Sequence, residues 1–541
     1  MSRLPTKTTD VAPAAPANRS PSTGRSAFFV ALGILCSRLT GLVRQRVIAH
    51  YFGLEMEADA WSAAFRIPNF LQNLFGDQAL SGSFIPVYAS LLAAGERREA
   101  DRVAGAVASL LALVVSVIVL IGVSATPLFI DAIAPGFSGA KRELTIAIVR
   151  ILFPGAGLLV LSAWCLGVLN SHHRFLLSYS SAVMWNVGMI GALLLFGGTV
   201  PLPRLAMILA WGSVVGSAMQ FGVQLPFVLK MAPDLRFALD LASTEVRTVV
   251  RNFVPVFVSR GVVQASAYVD QLLASLLPTG AVAGMTNALL LATLPVSLFG
   301  MSVSAAELPA MSGVAADAAG TEALRRRLDA GLRQIAFFVV PSAFAFLALG
   351  DVIAAAVLQT GRFRHADAVY VWEILAGSAI GLLASTLGRL YSSTYYALRD
   401  TRTPLKYAIV RVSLTTLLGY FCAIPLPRLL GISPLWGAAG LTASAGVAGW
   451  VEMLLLRHTM NTRIGRTGLP AVFTAKLWTA AVCGASAAWA VKVALPAMHP
   501  ALTALLVLGP YGVVFLAVAA ALRVPEVSTA LARFGRLARR S

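Results

Sequence analysis

Residues 103–130 read VAGAVASLLALVVSVIVLIGVSATPLFI, a run without one charged or amide side chain. A helix rises 1.5 Å per residue, so about 20 such residues cross a hydrocarbon layer of ~30 Å. The run is not isolated. Hydropathy gives further spans at 27–51, 59–94, 144–170, 175–196, 205–229, 252–277, 282–312, 335–358, 367–398, 404–424, 435–456, 472–493 and 503–522. The second of the series, 59–94, is too long for one crossing, and Pro68 and Pro86 mark the expected kinks. Across the 541 residues, 57% are hydrophobic and 12% charged, against about a quarter charged in soluble domains. The expected fold class is an all-α polytopic membrane protein of about fourteen transmembrane helices.

The connections test this count independently. With the amino terminus in the cytoplasm, the even-numbered connections and both tails together hold 28 Lys and Arg. The opposite connections hold 6: Lys141, Arg142, Arg204, Arg362, Arg364 and Arg428. Such a bias is what the positive-inside rule gives for two cytoplasmic termini in a bacterial inner membrane. It accounts for the net charge of +19 without a nucleic-acid partner. Residues 1–26 are rich in Pro, Ala, Ser and Thr and read as a disordered basic tail. They are no cleavable signal, because the apolar run that follows carries Arg38 and has no small-residue cleavage site.

The chain repeats itself. Ser37-Arg38 recurs as Ser259-Arg260, Leu74-Phe75-Gly76 as Leu298-Phe299-Gly300, Pro86 as Pro309, and Ile151-Leu152 as Ile374-Leu375, at offsets of 222 to 224. Six crossings per repeat keep both copies in one orientation. They are therefore related by a pseudo-two-fold axis along the membrane normal, with a site between them. The divisions that follow are a tail at 1–26, an N-terminal lobe at 27–231, a C-terminal lobe at 232–460, a two-helix appendix at 461–523, and a basic cytoplasmic tail at 524–541.

Nine basic residues remain inside the spans: Arg38, Arg44, Arg46, Arg66, Arg150, Arg260, Arg389, Arg411 and Lys492. Asp59, Asp77, Asp270, Glu307, Glu373 and Glu452 accompany them. Each costs about 2.5–3.5 kcal/mol at the bilayer centre, so each should face a partner or an aqueous cavity. Snorkelling or local pairing suits Arg46, Arg150, Arg411 and Lys492, whereas Arg38 and Arg260, equivalent in the repeat, are expected to face a cavity. The excess of cations implies an anionic cargo, and arginine suits phosphate because its planar fork donates two parallel charge-assisted bonds. The four cysteines, Cys36, Cys165, Cys422 and Cys483, lie in apolar runs without metal-ligand spacing. His172-His173 fall in a short basic loop, and no acidic metal cluster, phosphate-cradling Gly-rich loop or nucleophile–base pair stands out, so no enzyme is expected.

The stretch Ser37-Arg38-Leu39-Thr40-Gly41-Leu42-Val43-Arg44, with Phe52-Gly53, Ala58-Asp59-Ala60, Phe65-Arg66-Ile67-Pro68-Asn69 and Ser83-Phe84-Ile85-Pro86-Val87, resembles the MurJ (MviN) family of lipid II flippases in the MOP exporter superfamily. Ala134-Pro135-Gly136-Phe137, Arg150-Ile151-Leu152-Phe153-Pro154, Asn186, Gln220, Gln264, Asp270 and the run Tyr396–Pro404 agree. The resemblance covers about 27–523. It implies two six-helix lobes plus two C-terminal helices that groove a polyprenyl tail, and a cationic central cavity for a diphosphate-sugar head. Arg38, Arg44, Asp59, Arg66 and Asn69 carry over as substrate-binding residues, and Asp77 matches a position that is commonly Glu.

Three departures mark a divergent branch. Gln45 stands where the family has Asp, Gln72-Asn73 replace an Arg-Arg pair, and Leu290 replaces a cavity arginine. Arg260 and Arg389 are then expected to supply the lost charge. The implied function is alternating-access flipping of lipid II, an undecaprenyl-diphosphate-linked peptidoglycan precursor, with no cofactor and the coupling ion or membrane potential left open. Membrane lipid and cell-wall synthesis proteins are the expected partners. The alternatives are a flippase of another lipid-linked oligosaccharide or a multidrug or ion-coupled exporter. Reporter fusions at residue 320 and at the carboxyl terminus should read cytoplasmic, and one at residue 363 periplasmic; a periplasmic carboxyl terminus would remove the fourteen-helix topology.

Overall fold

The computed structural model describes residues 21–240, 242–312 and 318–527. The tail expectations at 1–20 and 528–541 lie outside these residues. Helix α1 begins at Pro21, inside the segment expected to be disordered.

The first half of the chain forms α1 (Pro21–Phe52), α2 (Met56–Phe75), α3 (Asp77–Ser83), α4 (Ile85–Ala93), α5 (Arg97–Ser124), α6 (Thr126–Ile133), α7 (Gly139–Ser171), α8 (Phe175–Ser180), α9 (Ala182–Phe196) and α10 (Leu202–Met231). The second half forms α11 (Thr244–Ser275), α12 (Ala281–Pro295), a π-helical turn (Val296–Met301), α13 (Ser302–Ser312), α14 (Ala318–Leu358), α15 (His365–Ala397), α16 (Arg402–Ala423), α17 (Pro425–Leu430) and α18 (Trp436–Ile464). Helices α19 (Ala471–Ala494) and α20 (Pro500–Ala521) close it. Among the described residues, 11 helical segments are long and apolar enough to cross a membrane. Outside that set stand α1, the series α2–α4 and α11, which carry Arg38, Arg44, Asp59, Arg66 and Arg260. With them the architecture is consistent with the expected count.

The second span divides twice, at Gly76 and at Phe84 two residues before Pro86, but not at Pro68. Helix α2 continues through position 68 and ends at Gly76, where φ −85° and ψ −147° leave the helix while the N–H still reaches the Gln72 carbonyl. A Cβ at Gly76 would lie 2.1 Å from that carbonyl oxygen. Pro86 sits in the first turn of α4, where a missing N–H costs nothing.

The repeat is visible in the packing. In the first lobe α7 packs on α10 through Gly155, which faces Val214 and Ser217. In the second lobe α15 packs on α18 through Gly377, which faces Ala439 and Thr442. Gly155 and Gly377 are 222 residues apart, the spacing of the sequence repeat. Without a hydrophobic drive inside lipid, such close backbone approach is what holds helices together. Helix α11 belongs to both lobes. Val246 and Val249 are buried in the first lobe's core, with Phe253 and Phe257 against Phe75. Leu273, Ala274 and Leu277 are buried in the second lobe's core. Helices α19 and α20 pair with each other and lean on α14. There Lys492 and Asp351 form an ion pair at 2.5 Å, and the Tyr511 hydroxyl donates to the Pro341 carbonyl at 2.6 Å.

The segment 399–404 turns the chain between α15 and α16. Asp400 accepts from the Arg402 and Thr403 backbone N–H groups and from the Thr403 hydroxyl, and it pairs with Arg463 at 2.8 Å. The Thr403 donors, with Arg463 adding, hold its carboxyl down at about 2. The turn therefore stays clamped until the pH falls through that value.

Gly381 lies against Gly446, where a Cβ would come within 2.3 Å of the Gly446 Cα. Gly381→Val should push α15 from α18 at a cost of about 1–3 kcal/mol and lower the thermal midpoint of the purified protein in detergent. Gly191→Ala, which meets nothing within 4 Å, should leave it unchanged or slightly raised. Equal midpoints for the two variants would remove this account of the second lobe.

Candidate functional site

Arg44 is held in an aromatic and amide cradle built by three helices of the first lobe. Its Nη1 donates to Asn186 Oδ1 at 3.0 Å, and Asn186 Nδ2 in turn donates to the Thr40 hydroxyl at 3.1 Å. The guanidinium lies 5.1 Å from the Phe65 ring centroid and 5.6 Å from that of Trp185. Those rings are stacked at 5.3 Å, with Trp61 continuing the stack. Cation–π contact and one amide acceptor compensate part of the lost hydration. The Arg44 Nε is buried without a hydrogen-bond partner. The cradle thus fixes the plane of the guanidinium and leaves donor capacity for an anion.

The other expected site residues distribute unevenly. Arg38 is exposed six residues before Arg44 on α1. Arg66 is half-buried on α2 with Asp270 of α11 near it, and the Tyr268 hydroxyl donates to its carbonyl. Asn69 is half-buried on the same helix. The side chains of Asp77 and Arg260 lie outside the described residues, so the expectation that Arg260 faces the same cavity as Arg38 does too. Arg389 lines a separate pocket in the second lobe with Arg411 and Glu452.

Asp59 makes a cross-lobe contact that the sequence reading did not anticipate. It is fully buried, and both carboxylate oxygens are taken. Oδ2 accepts from Lys141 Nζ at 2.6 Å and from the Gly280 N–H at 2.8 Å, and Oδ1 accepts from the Ala283 N–H at 2.8 Å. A carboxylate from the first lobe thus caps the amino terminus of α12 in the second, where unpaired N–H groups and the helix dipole favour negative charge. No oxygen of Asp59 is left for a ligand in this conformation.

The same end carries a second contact of opposite sign. Arg46 Nη1 donates to the Ala356 and Val357 carbonyls, both at 2.7 Å, at the carboxyl end of α14. It neither snorkels nor pairs locally, as its position near a helix end suggested. Gln45, the departure from the family's Asp, donates to Asn287 Oδ1 at 2.7 Å. His50 meets Thr360, its carbonyl accepts from the Arg362 N–H, and Arg362 pairs with Glu55 at 3.2 Å. Gly136, in the Ala134–Phe137 motif, donates to the Ser275 hydroxyl, and a Cβ there would lie 2.0 Å from the Ser275 carbonyl oxygen. These contacts form a clasp joining the lobes at the end where basic loop residues are scarce. Sequence reasoning missed Lys141, whose signal was its rarity among six cations on that side. It had no signal for Asn287.

Asp59→Asn keeps the shape but removes the charge that Lys141 and the α12 terminus share, a loss of about 1.5–3 kcal/mol. In a background without native cysteines, Glu55→Cys with Arg362→Cys should cross-link readily with a short bifunctional reagent. Adding Asp59→Asn should cut the yield severalfold. An undiminished yield would show that the clasp does not depend on this carboxylate.

A sequence profile described as "Lipid II flippase MurJ" matches residues 48–522. The chain is 32% identical over 428 residues to "Lipid II flippase MurJ" of Burkholderia cenocepacia, covering 78% of this chain and 80% of that one. It is 32% identical over 443 residues to "Probable lipid II flippase MurJ" of Bdellovibrio bacteriovorus, covering 80% and 81%. Among solved structures, "Lipid II flippase MurJ, inward closed conformation" superposes with a TM-score of 0.73 at 21% identity, over 92% of this chain and 100% of that one. An inward-facing multidrug resistance MATE family transporter of the MOP superfamily gives 0.62 at 16% identity, over 81% and 98%. The two-lobed fold is shared by both, but the sequence match, which includes Asp59, is to one of them: the chain belongs to the lipid II flippase MurJ family.

Proposed function

We propose that this protein moves lipid II across the bacterial inner membrane by alternating access, with both termini in the cytoplasm. The observation that carries this is the cradled Arg44 beside a clasp that closes one end of the interlobe space. The clasp lies at the end poor in basic loop residues, which the positive-inside rule places outside. The conformation therefore presents the lobes to the cytoplasm, where the precursor is made. Arg38, Arg44 and Arg66, with Asn69 beside them, receive the diphosphate while the polyprenyl chain stays in lipid along α19 and α20. Anionic cargo competes for the cationic site, the lobes rock, and the clasp opens to release the head outside. No bond is made or broken, so no cofactor is required; a coupling ion or the membrane potential supplies direction. The enzymes that polymerise the flipped precursor are the partners this reading implies.

In cells depleted of their own flippase, Arg38→Ala and Arg44→Ala should each lower flipping at least tenfold, about 1.4 kcal/mol, while the protein remains inserted. Lipid II should then accumulate on the cytoplasmic face. Arg44→Lys should recover little, because an ammonium cannot fill the planar slot between Asn186 and the stacked rings. Wild-type growth with either alanine variant as the sole copy would remove that arginine from the binding site, and wild-type growth with both would end the cationic-site mechanism.

A further inference from the structure

The second lobe contains a polar pocket that the flipping reading leaves unused. It has a volume of about 410 Å³ and lies between α13, α15, α16 and α18, lined by Ser304, Ser385, Arg389, Ser392, Arg411 and Glu452 among others. All four helices are membrane-crossing segments or their continuations, so these charges sit where an uncompensated one costs about 2.5–3.5 kcal/mol. Arg411 and Glu452 compensate each other at 3.2 Å. Arg389 stands near Glu452 but is exposed, and it has no hydrogen-bond or ion-pair partner among the described residues. Ser304 is 6% exposed, and its hydroxyl has no partner either. The pocket lining thus holds one guanidinium and one hydroxyl without a partner among the described residues.

The charge balance selects the ligand. Two arginines and one glutamate leave a single positive charge. A diphosphate would bring two or more negative charges against Glu452, whereas one carboxylate neutralises Arg389 without excess. The serine hydroxyls suit amide and hydroxyl groups flanking that carboxylate, and the volume suits a short peptide segment.

We propose that this pocket is a subsite for a singly charged peptide carboxylate of the cargo's head group, bound by Arg389 while the diphosphate stays on the first lobe. This rests on the lipid II reading above and adds to it a peptide-reading element in the second lobe. Glu452 acts as the counterweight that tunes the site to one negative charge, and Arg411 holds Glu452 in place.

The test uses the full chain in nanodiscs of neutral phospholipid. Binding is measured for lipid II with free peptide carboxylates, for lipid II with those carboxylates amidated, and for undecaprenyl diphosphate–sugar lacking the peptide. The wild type should prefer the free-carboxylate form over the amidated one about tenfold, the scale of one charge-assisted hydrogen bond. Arg389→Gln should bring that ratio near one, and Arg389→Lys should restore part of it. Glu452→Gln should raise it, a gain that misfolding cannot imitate. A ratio near one in the wild type, or one unchanged by Arg389→Gln, would overturn the subsite while leaving the flippase intact. Loss of the preference when an anionic phospholipid is added would assign the pocket to membrane lipid instead and overturn it too. Absence of wild-type binding to all three lipids would remove the flippase reading with it.

Discussion

The arrangement of the two lobes depends on one carboxylate. Asp59 is a buried anion, and an isolated buried carboxylate is prohibitively costly. It is tolerated because three donors from two places converge on it: the Lys141 ammonium from α7 and the Gly280 and Ala283 N–H groups that open α12. Two of those donors belong to the other lobe, so the compensation exists only while the lobes are closed at this end. Separating them would strand a carboxylate and leave a helix terminus uncapped. Arg46 repeats the arrangement with the signs reversed, placing a cation on the carbonyls that end α14. Helix termini are useful here because their partial charges are built into the backbone and need no ionisable partner.

Around this clasp the intramembrane charges sort into two kinds. Lys492 with Asp351 and Arg411 with Glu452 are paired within reach of each other. Arg44 is partly compensated by rings and an amide, and Arg38 and Arg389 are exposed. Paired charges fix helices against one another, and open ones need water or a ligand. From Arg66 through Asp270, Arg411 and Glu452 to Arg389, cation and anion alternate from one lobe to the other. Asp270 lies on α11, the helix whose two halves belong to different lobes. Any movement of one lobe against the other therefore changes the electrostatic neighbours along this row.

The arginines of the site were legible because a guanidinium inside an apolar span is locally anomalous, whatever surrounds it. Asp59 was equally visible as an anomaly, but its role was not. The resemblance named it as a substrate-binding residue, and in this conformation it caps a helix terminus of the other lobe. Arg46 was misread for the same reason: closeness to its own helix end suggested snorkelling, while its acceptors lie at the end of another helix. Gln45 looked like a lost acid and is a cross-lobe hydrogen-bond donor. Pro68 suggested a kink by its chemistry alone, whereas the break falls at Gly76, where the backbone leaves the helix.

The sequence alone determined that the chain crosses a membrane many times and is built as two six-helix lobes, and its charges pointed to an anionic cargo. Each of these follows from local chemistry: apolar run length, a fixed offset between like residues, and the sign of the charges. Only the tertiary structure decided which of the intramembrane charges are free to meet a ligand. The partner of Asp59 on α7 lies 82 residues away and the nearer of those at the start of α12 lies 221 away, and the acceptors of Arg46 lie 310 and 311 away. Compensation of charge in lipid is settled by proximity in space, and no local pattern in the chain records it.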